Sequence, residues 1–227
     1  MIKTDSTIIA DLRHIARTRQ EVELLNVYKG IPILYKAAVE KVGNDRAVVR
    51  FQQPEAVCLT LENKTTILTD LLAGPVNAAV LSVDLAAGSA ALGEFHYAHA
   101  KVGDRMTLRV APHDAVEVTI QSGQQRVTGS LADLSMTGIG VYISPPDEAT
   151  ALRRKSVVQI TLKLEAALLD LSGTVHYVKS RANASRVGLT LVQTPQARTI
   201  VQYIHKRQED ILRELHTLYQ ASVGSGP

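Results

Sequence analysis

The chain has 227 residues, of which 45% are hydrophobic and 4% aromatic, and its formal net charge at pH 7 is +3. This length accommodates two ordinary domains, and this hydrophobic fraction supplies a core for each. Such a small net charge gives no global field of the kind that attracts nucleic acids, and a chain without Trp offers a poor stacking platform for single strands. We therefore expect a globular protein that does not bind nucleic acid.

The sequence contains no apolar run near the roughly eighteen residues that a membrane-spanning helix needs. Its first residues also lack the charged-then-apolar pattern of a secretory signal. Cys58 is the single cysteine, so an internal disulfide is excluded, and its apolar neighbours predict a buried thiol. These features predict a cytoplasmic protein without a membrane span.

The first half of the chain begins with a helix and continues with short strands. Residues 5–27 carry apolar side chains at spacings of three, four and seven, which predicts an amphipathic helix. Short apolar or alternating runs then recur about every ten residues, as is typical of a small antiparallel barrel or sandwich. These runs are 33–42, 46–51, 56–61, 65–72, 77–84 and 90–97. We assign residues 1–98 to this first domain.

The second half repeats the same pattern after a polar linker. Strands are predicted at 106–112, 114–120, 126–132, 139–143, 157–163, 168–178 and 186–192. We assign residues 99–194 to this second domain, with 101–109 as the linker that enters it. The fold class is therefore mainly β, with two small antiparallel β-barrels and a helix at each end of the chain.

A long helix is predicted at the C-terminus, over residues 195–220. Its apolar positions include Ile204, Ile211, Leu215 and Leu218, whose spacing resembles a heptad seam. Such a stripe packs either on the core of its own chain or on a second copy, and a barrel needs only the first turns of the helix. We expect the part from Ile211 to Leu218 to be free for self-association, and the tail 221–227 to be disordered.

Two short motifs surround the start of the second barrel. Arg105 and Arg109 are spaced R-x-x-x-R, and their planar forks can bind a phosphate or the O6/N7 edge of guanine through two hydrogen bonds. Asp133, Ser135 and Gly138 follow as D-x-S-x-x-G between two apolar runs. The carboxylate can accept from guanine N1–H and N2–H, the hydroxyl can donate or accept, and the glycine allows a positive φ or a close approach.

This pair of motifs, in this order, resembles the signature of the PilZ domain, the bacterial receptor module for cyclic di-GMP. The resemblance covers residues 101 to about 207. It implies a six-stranded barrel whose ligand lies between the linker arginines and the D-x-S-x-x-G motif. The first half of the chain resembles the barrel that precedes the PilZ domain in YcgR-like proteins, which implies a two-domain receptor.

Asp104 stands where members of this family that hold two stacked ligands tend to have a further arginine. A carboxylate close to a dianionic ligand weakens its binding. We therefore expect Asp104 to modulate stoichiometry, with one ligand per site.

Each motif taken singly also has a purely structural interpretation. Arg105 and Arg109 fit a solvated strand face, and Asp133 with Ser135 fits a capped turn completed by Gly138. Only their conjunction favours a ligand site.

The predicted function follows from that conjunction. The favoured hypothesis is a cyclic di-GMP receptor in which the ligand changes domain orientation and thereby regulates a protein partner in motility, adhesion or polysaccharide export. The sequence carries no motif of the common hydrolases, kinases or nucleotide-binding enzymes and no convincing metal-ligand cluster, so we expect neither an enzyme nor a cofactor. The alternative is a ligand-independent scaffold that assembles through its terminal helices.

Overall fold

The computed structural model describes residues 6–98, 108–192 and 195–224. The chain divides into two compact units, one made of residues 1–106 with 211–227 and the other of residues 107–210. Each unit contains a closed six-stranded antiparallel barrel, which confirms the predicted fold class. Within the described ranges, no helix is long and apolar enough to span a membrane.

The first unit opens with α1 (Ser6–Thr18), whose apolar face is buried. Its barrel strands are β1 (Glu21–Tyr28), β2 (Ile31–Val42), β3 (Arg46–Arg50), β4 (Lys64–Leu68), β5 (Val76–Asp84) and β6 (Ser89–Tyr97). They close in the order β1-β2-β3-β6-β5-β4. A 3-10 turn (Pro54–Val57) and the short helix α2 (Cys58–Glu62) connect β3 to β4.

Two predictions for this unit are wrong. The predicted helix over 5–27 ends at Thr18, because Arg19 has a φ of 53° in the left-handed region. Val22, Leu24 and Asn26 are instead the inward positions of β1, alternating with outward neighbours.

The predicted strand over 56–61 is also absent. The chain there forms the 3-10 turn and α2, which begin at a proline in the first helical position. The continuous apolar run that suggested a strand is buried, and Cys58 is buried with it, as predicted.

One polar cluster lies inside the first barrel. Asn26 Nδ2 donates to the Lys64 carbonyl at 2.7 Å, and its Oδ1 accepts from the Tyr35 hydroxyl at 2.9 Å and from Thr65 Oγ1 at 3.0 Å. Burial raises the pKa of Tyr35, so its phenol remains a donor. The amide thereby ties β1, β2 and β4 together with its hydrogen bonds satisfied.

The second unit contains seven strands. They are β7 (Arg109–Val110), β8 (Glu117–Ser122), β9 (Gln125–Ser135), β10 (Gly138–Ile143), β11 (Val157–Leu164), β12 (Ala167–Ser180) and β13 (Ser185–Leu191). The sheet order is β10-β13-β12-β11-β8-β9-β7, and a further β9–β10 pairing closes six of them into a barrel. The short strand β7 pairs with the end of β9, where Arg109 lies opposite Ser135.

The C-terminal helix α3 (Ala197–Gly224) contributes to both units, with residues 197–210 in the second and 211–224 in the first. Ile204, Ile211 and Leu215 are buried within the chain, whereas Leu218 is half-buried. In the first unit, Glu214 accepts from Lys29 Nζ at 2.6 Å.

The expectation that the seam from Ile211 to Leu218 is free for a partner is therefore wrong, because Ile211 and Leu215 are already covered by their own chain. The helix also continues to Gly224, so the prediction of a disordered tail is wrong for residues 221–224. Residues 225–227 lie outside the described ranges.

Leu215 gives a direct test of this packing. Its side chain is 0% exposed, so Leu215→Ala should lower the free energy of unfolding by about 2–5 kcal/mol through lost burial and a residual cavity. The measurement is chemical denaturation followed by circular dichroism. Leu168→Ala, at a position that is 62% exposed, is the matched control and should change stability by about 0.5 kcal/mol or less. Equal midpoints for the two variants would contradict intrachain packing of the seam.

Cys58 gives a second test. Burial, followed by the charges of Glu62 and Glu55, raises the pKa of its thiol to about 12. The thiol is therefore neutral and poorly nucleophilic throughout the pH range in which the protein is handled. Alkylation at pH 8, followed by mass spectrometry, should be slower than in the urea-unfolded chain by about a hundredfold or more. Equal rates in the two states would show an accessible thiolate.

Candidate functional site

The two motifs meet on one face of the second barrel. Asp133 lies near the end of β9, where it pairs with Gly140 of β10, which pairs in turn with Gly188 of β13. Gly188 is also paired with Tyr177 of β12. Asp133, Gly140, Gly188 and Tyr177 thus form one row across four neighbouring strands, with the two glycines between the carboxylate and the aromatic ring.

Ser135 and Gly138 form the tight connection between β9 and β10. Ser135 is fully buried, and its hydroxyl donates to the Gly138 carbonyl at 3.1 Å. A Cβ on Gly138 would lie 2.8 Å from the Leu189 carbonyl oxygen of β13 and 3.2 Å from Arg109 Nη2. Close packing, and not a positive φ, is therefore what requires glycine here.

The carboxylate of Asp133 is shared by two arginines. Its Oδ1 accepts from Arg109 Nη1 at 2.7 Å, and its Oδ2 accepts from Arg186 Nη2. The Asp133 side chain is 15% exposed, and those of Arg109 and Arg186 are about twice as exposed, at 31% and 29%. Charge-assisted hydrogen bonds at such a depth orient the carboxylate while leaving one side of the cluster open to solvent.

Arg186 is held on the barrel face by two tyrosines as well. Its Nη1 donates to the Tyr142 hydroxyl at 2.7 Å, and its Nε donates to the Tyr177 hydroxyl at 3.4 Å. Its Cζ lies 4.9 Å from the centroid of the Tyr142 ring, which is a cation–π distance. Burial lowers the pKa of Arg186, but the Tyr177 hydrogen bond and the Asp133 charge outweigh it and hold the pKa above its usual value.

Gly140 and Gly188 have no side chain, so these side chains can lie directly against the backbone of β10 and β13. A Cβ on Gly140 would stand 2.9 Å from Asp133 Oδ2 and 3.0 Å from Arg186 Nη2. A Cβ on Gly188 would collide with the Tyr177 ring. Glycine inside a strand often marks a close approach by another group, and here it lets the ion pair and the ring lie against the backbone.

The structure thus brings Arg109, Asp133, Ser135 and Gly138 together, as expected for one site. Arg105 and Asp104 lie outside the described residues. The contact roles predicted for the motif residues stay predictions. The buried hydroxyl of Ser135 already donates to the Gly138 carbonyl within the β9–β10 hairpin.

Sequence reasoning missed Arg186, Tyr142 and Tyr177. The available signal was the pair of glycines inside β10 and β13, in strands that are otherwise apolar and β-branched.

The electrostatics of this face suit an anion that also carries hydrogen-bond donors. On the described part of this face, Arg109, Arg186 and Lys179 supply positive charge and Asp133 supplies a carboxylate. Lys179 is exposed, and its Nζ lies 5.3 Å from the centroid of the Tyr177 ring. Among the described residues, no group of three or more His, Cys, Asp or Glu side chains could hold a metal ion.

The two glycines of β10 should respond differently to a methyl group. Gly138→Ala places Cβ against a backbone carbonyl that cannot move, so it should cost about 1–3 kcal/mol of unfolding free energy. Gly140→Ala meets only the ends of the Asp133 and Arg186 side chains, which can shift. It should therefore cost less than Gly138→Ala. Chemical denaturation of both variants measures this difference, and a larger loss for Gly140→Ala would contradict the packing described.

Comparison with solved structures finds two-domain proteins of low identity. MrkH from K. pneumonia, in complex with c-di-GMP, is 16% identical with a TM-score of 0.45, covering 94% of this chain and 97% of that chain. YcgR from Escherichia coli, also with c-di-GMP, is 14% identical with a TM-score of 0.45, covering 95% and 96%. The inhibitor of motility MotI/DgrA from Bacillus subtilis is 11% identical with a TM-score of 0.42, covering 85% and 97%.

None of the curated proteins compared with this sequence matches it. The family comparison does give a match, since residues 104–206 fit the family described as PilZ domain. That range contains both motifs and all seven strands of the second unit. This match confirms the resemblance that the sequence motifs indicated: residues 104–206 of this chain match the PilZ domain family.

Proposed function

We propose that this chain is a receptor for cyclic di-GMP that binds the dinucleotide through Arg105, Arg109, Asp133, Ser135 and Gly138. The observation that carries this proposal is the ion pair between Arg109 and Asp133, which joins the two motifs on one face of the PilZ barrel. The pair places a phosphate-binding fork beside a carboxylate that can accept from guanine.

The carboxylate has capacity left for a ligand. An ionised carboxylate offers about four lone-pair sites, and the hydrogen bonds to Arg109 and Arg186 use one on each oxygen of Asp133. Guanine N1–H and N2–H can therefore donate to Asp133 without displacing either arginine. The bound arginines add to this by orienting the carboxylate before the ligand arrives.

Ser135 and Gly138 support the site mainly from within. The hydrogen bond between them fixes the end of β9 relative to the start of β10, and so fixes Asp133 two residues earlier. Gly138 additionally leaves room for Arg109, whose Nη2 would stand 3.2 Å from any Cβ at this position. In this proposal Gly138 contacts the ligand through its backbone, while its missing side chain admits the arginine.

The proposed output is a change in the orientation of the two units. The division between the units falls between residues 106 and 107, which places it between Arg105 and Arg109 in the sequence. A ligand that holds both arginines restrains the connection between the units, and it shifts their orientation by as much as its affinities for the two arrangements differ. The regulated partner is a protein of motility, adhesion or polysaccharide export, and the chain itself has no enzymatic role.

Calorimetric titration with cyclic di-GMP tests the binding site. Wild-type protein should bind about one dinucleotide per chain, because Asp104 disfavours a second one. The double variant Arg105→Ala with Arg109→Ala should lose on the order of 3 kcal/mol or more of binding free energy, since two charge-assisted anchors are removed. The matched control is Arg153→Ala with Arg154→Ala, which removes two exposed arginines from the same unit and should leave affinity unchanged.

GTP serves as the competitor that shares guanine and phosphate without the cyclic geometry, and it should not displace the dinucleotide at equal concentration. Absence of binding to the wild-type protein would refute the receptor function. Equal losses of binding free energy in the two double variants would show that binding depends on overall positive charge and not on Arg105 and Arg109. Small-angle scattering of the same samples tests the output, which is contradicted if saturating ligand leaves the scattering curve unchanged.

A further inference from the structure

Arg186 stands out among the cations of the barrel because all three of its nitrogens are engaged by different strands. Nη2 donates to Asp133 of β9, Nη1 to Tyr142 of β10 and Nε to Tyr177 of β12. Hydrogen bonds of a guanidinium lie in its plane, so these three contacts use its edge and fix its orientation. A guanidinium held in this way has already lost the rotational freedom that binding would otherwise have to remove.

What remains available on Arg186 is the flat face of the guanidinium. The Tyr142 hydroxyl accepts from Nη1 at the edge of the group, and Cζ lies 4.9 Å from the centroid of the Tyr142 ring. The Arg186 side chain is 29% exposed, so the described elements of the chain do not close over the cluster. Guanidinium planes stack on nucleobases, so the exposed face of Arg186 offers a base a flat, positively charged surface.

The position of this surface relative to Asp133 defines what it can reach. Arg186 donates directly to Asp133 Oδ2, so its guanidinium lies next to the carboxylate that is proposed to accept from guanine. Arg109 approaches the same carboxylate through the other oxygen. A ligand held by Arg109 and Asp133 therefore has Arg186 beside it, on the side of the site away from β7.

From this geometry we infer that Arg186 is a further ligand-contacting residue, whose guanidinium face, held at its edge by Asp133, Tyr142 and Tyr177, stacks on a guanine base of cyclic di-GMP. The inference rests on the proposed receptor function and extends it, because the two sequence motifs do not include Arg186. Stacking accepts any purine, so Arg186 contributes affinity while the choice of guanine stays with Asp133.

The experiment compares Arg186→Lys and Arg186→Met with the wild-type protein by calorimetric titration with cyclic di-GMP. Both variants should bind about tenfold more weakly, because neither side chain has a planar face. Arg186→Lys is the more informative variant, because lysine keeps the positive charge and can still pair with Asp133. The matched control is Lys179→Met, which removes an exposed cation from the same face and should change affinity by about twofold or less.

The outcomes separate Arg186 from the other ways in which it could act. Wild-type affinity in Arg186→Lys would show that only charge, or the positioning of Asp133, is needed, and would overturn the inference. Wild-type affinity in Arg186→Met would overturn it too, while leaving the receptor function intact. An equal loss of affinity in Lys179→Met would show that Arg186 contributes only its positive charge, and would overturn the inference. No binding by the wild-type protein would refute the receptor function itself, and the inference with it.

Because Arg186 bridges three strands, thermal unfolding of each variant is measured alongside. If the Arg186 variants unfold at a lower temperature than the wild-type protein, Tyr142→Leu is used as a second test. It removes the Tyr142 ring and the hydrogen bond from Nη1 to its hydroxyl, and it leaves the contacts of Arg186 with Asp133 and Tyr177 in place. Tyr142 is 45% exposed, so this variant should fold normally. It should weaken binding by about threefold or more, and an unchanged affinity would overturn the stacked arrangement.

Discussion

The carboxylate of Asp133 is the group on which the arrangement of the site depends. Arg109 arrives from the strand at the entry to the barrel, and Arg186 arrives from a strand that follows more than fifty residues later along the chain. Without the acid, Arg109 would lose the contact that orders its long, partly exposed side chain, and Arg186 would keep only its hydrogen bonds to Tyr142 and Tyr177. Removing the carboxylate would leave two adjacent cations facing each other, so the acid both aligns them and screens their repulsion.

The backbone makes this arrangement possible. An ion pair that lies flat on a sheet needs strand positions without side chains, and Gly140 and Gly188 provide them in adjacent strands. Interior glycines weaken a strand, because they add backbone entropy and bury no side chain. The β10 strand tolerates them because it pairs on both sides, with β9 and with β13, so that the ladder itself supplies the stability that the missing side chains do not.

Much of the barrel architecture could be predicted from the alternation of apolar residues, but two elements in the first unit could not. Val22 and Leu25 continue the helical spacing of α1, and nothing in composition alone marks Arg19 as the residue that ends it. The true inward set of β1 includes Asn26, a polar residue whose burial depends on partners in two other strands. In α3, the seam of Ile211 and Leu215 has the same spacing whether it packs on its own chain or on a second copy. Long-range contacts decide all of these, and local patterns do not encode them.

The residues of the site likewise divide into those that a local sequence motif reveals and those that only strand pairing brings to the site. Arg105, Arg109 and Asp133 to Gly138 form compact motifs that sequence reasoning could find, whereas Arg186 enters only through the pairing of β13 with β10. Its addition changes the charge of the site. Without Arg186, the charges of Arg105 and Arg109 are balanced by those of Asp104 and Asp133. With Arg186 the sum becomes positive, which favours an anionic ligand. The expectation of one ligand per site is drawn from Asp104 alone and stays a prediction.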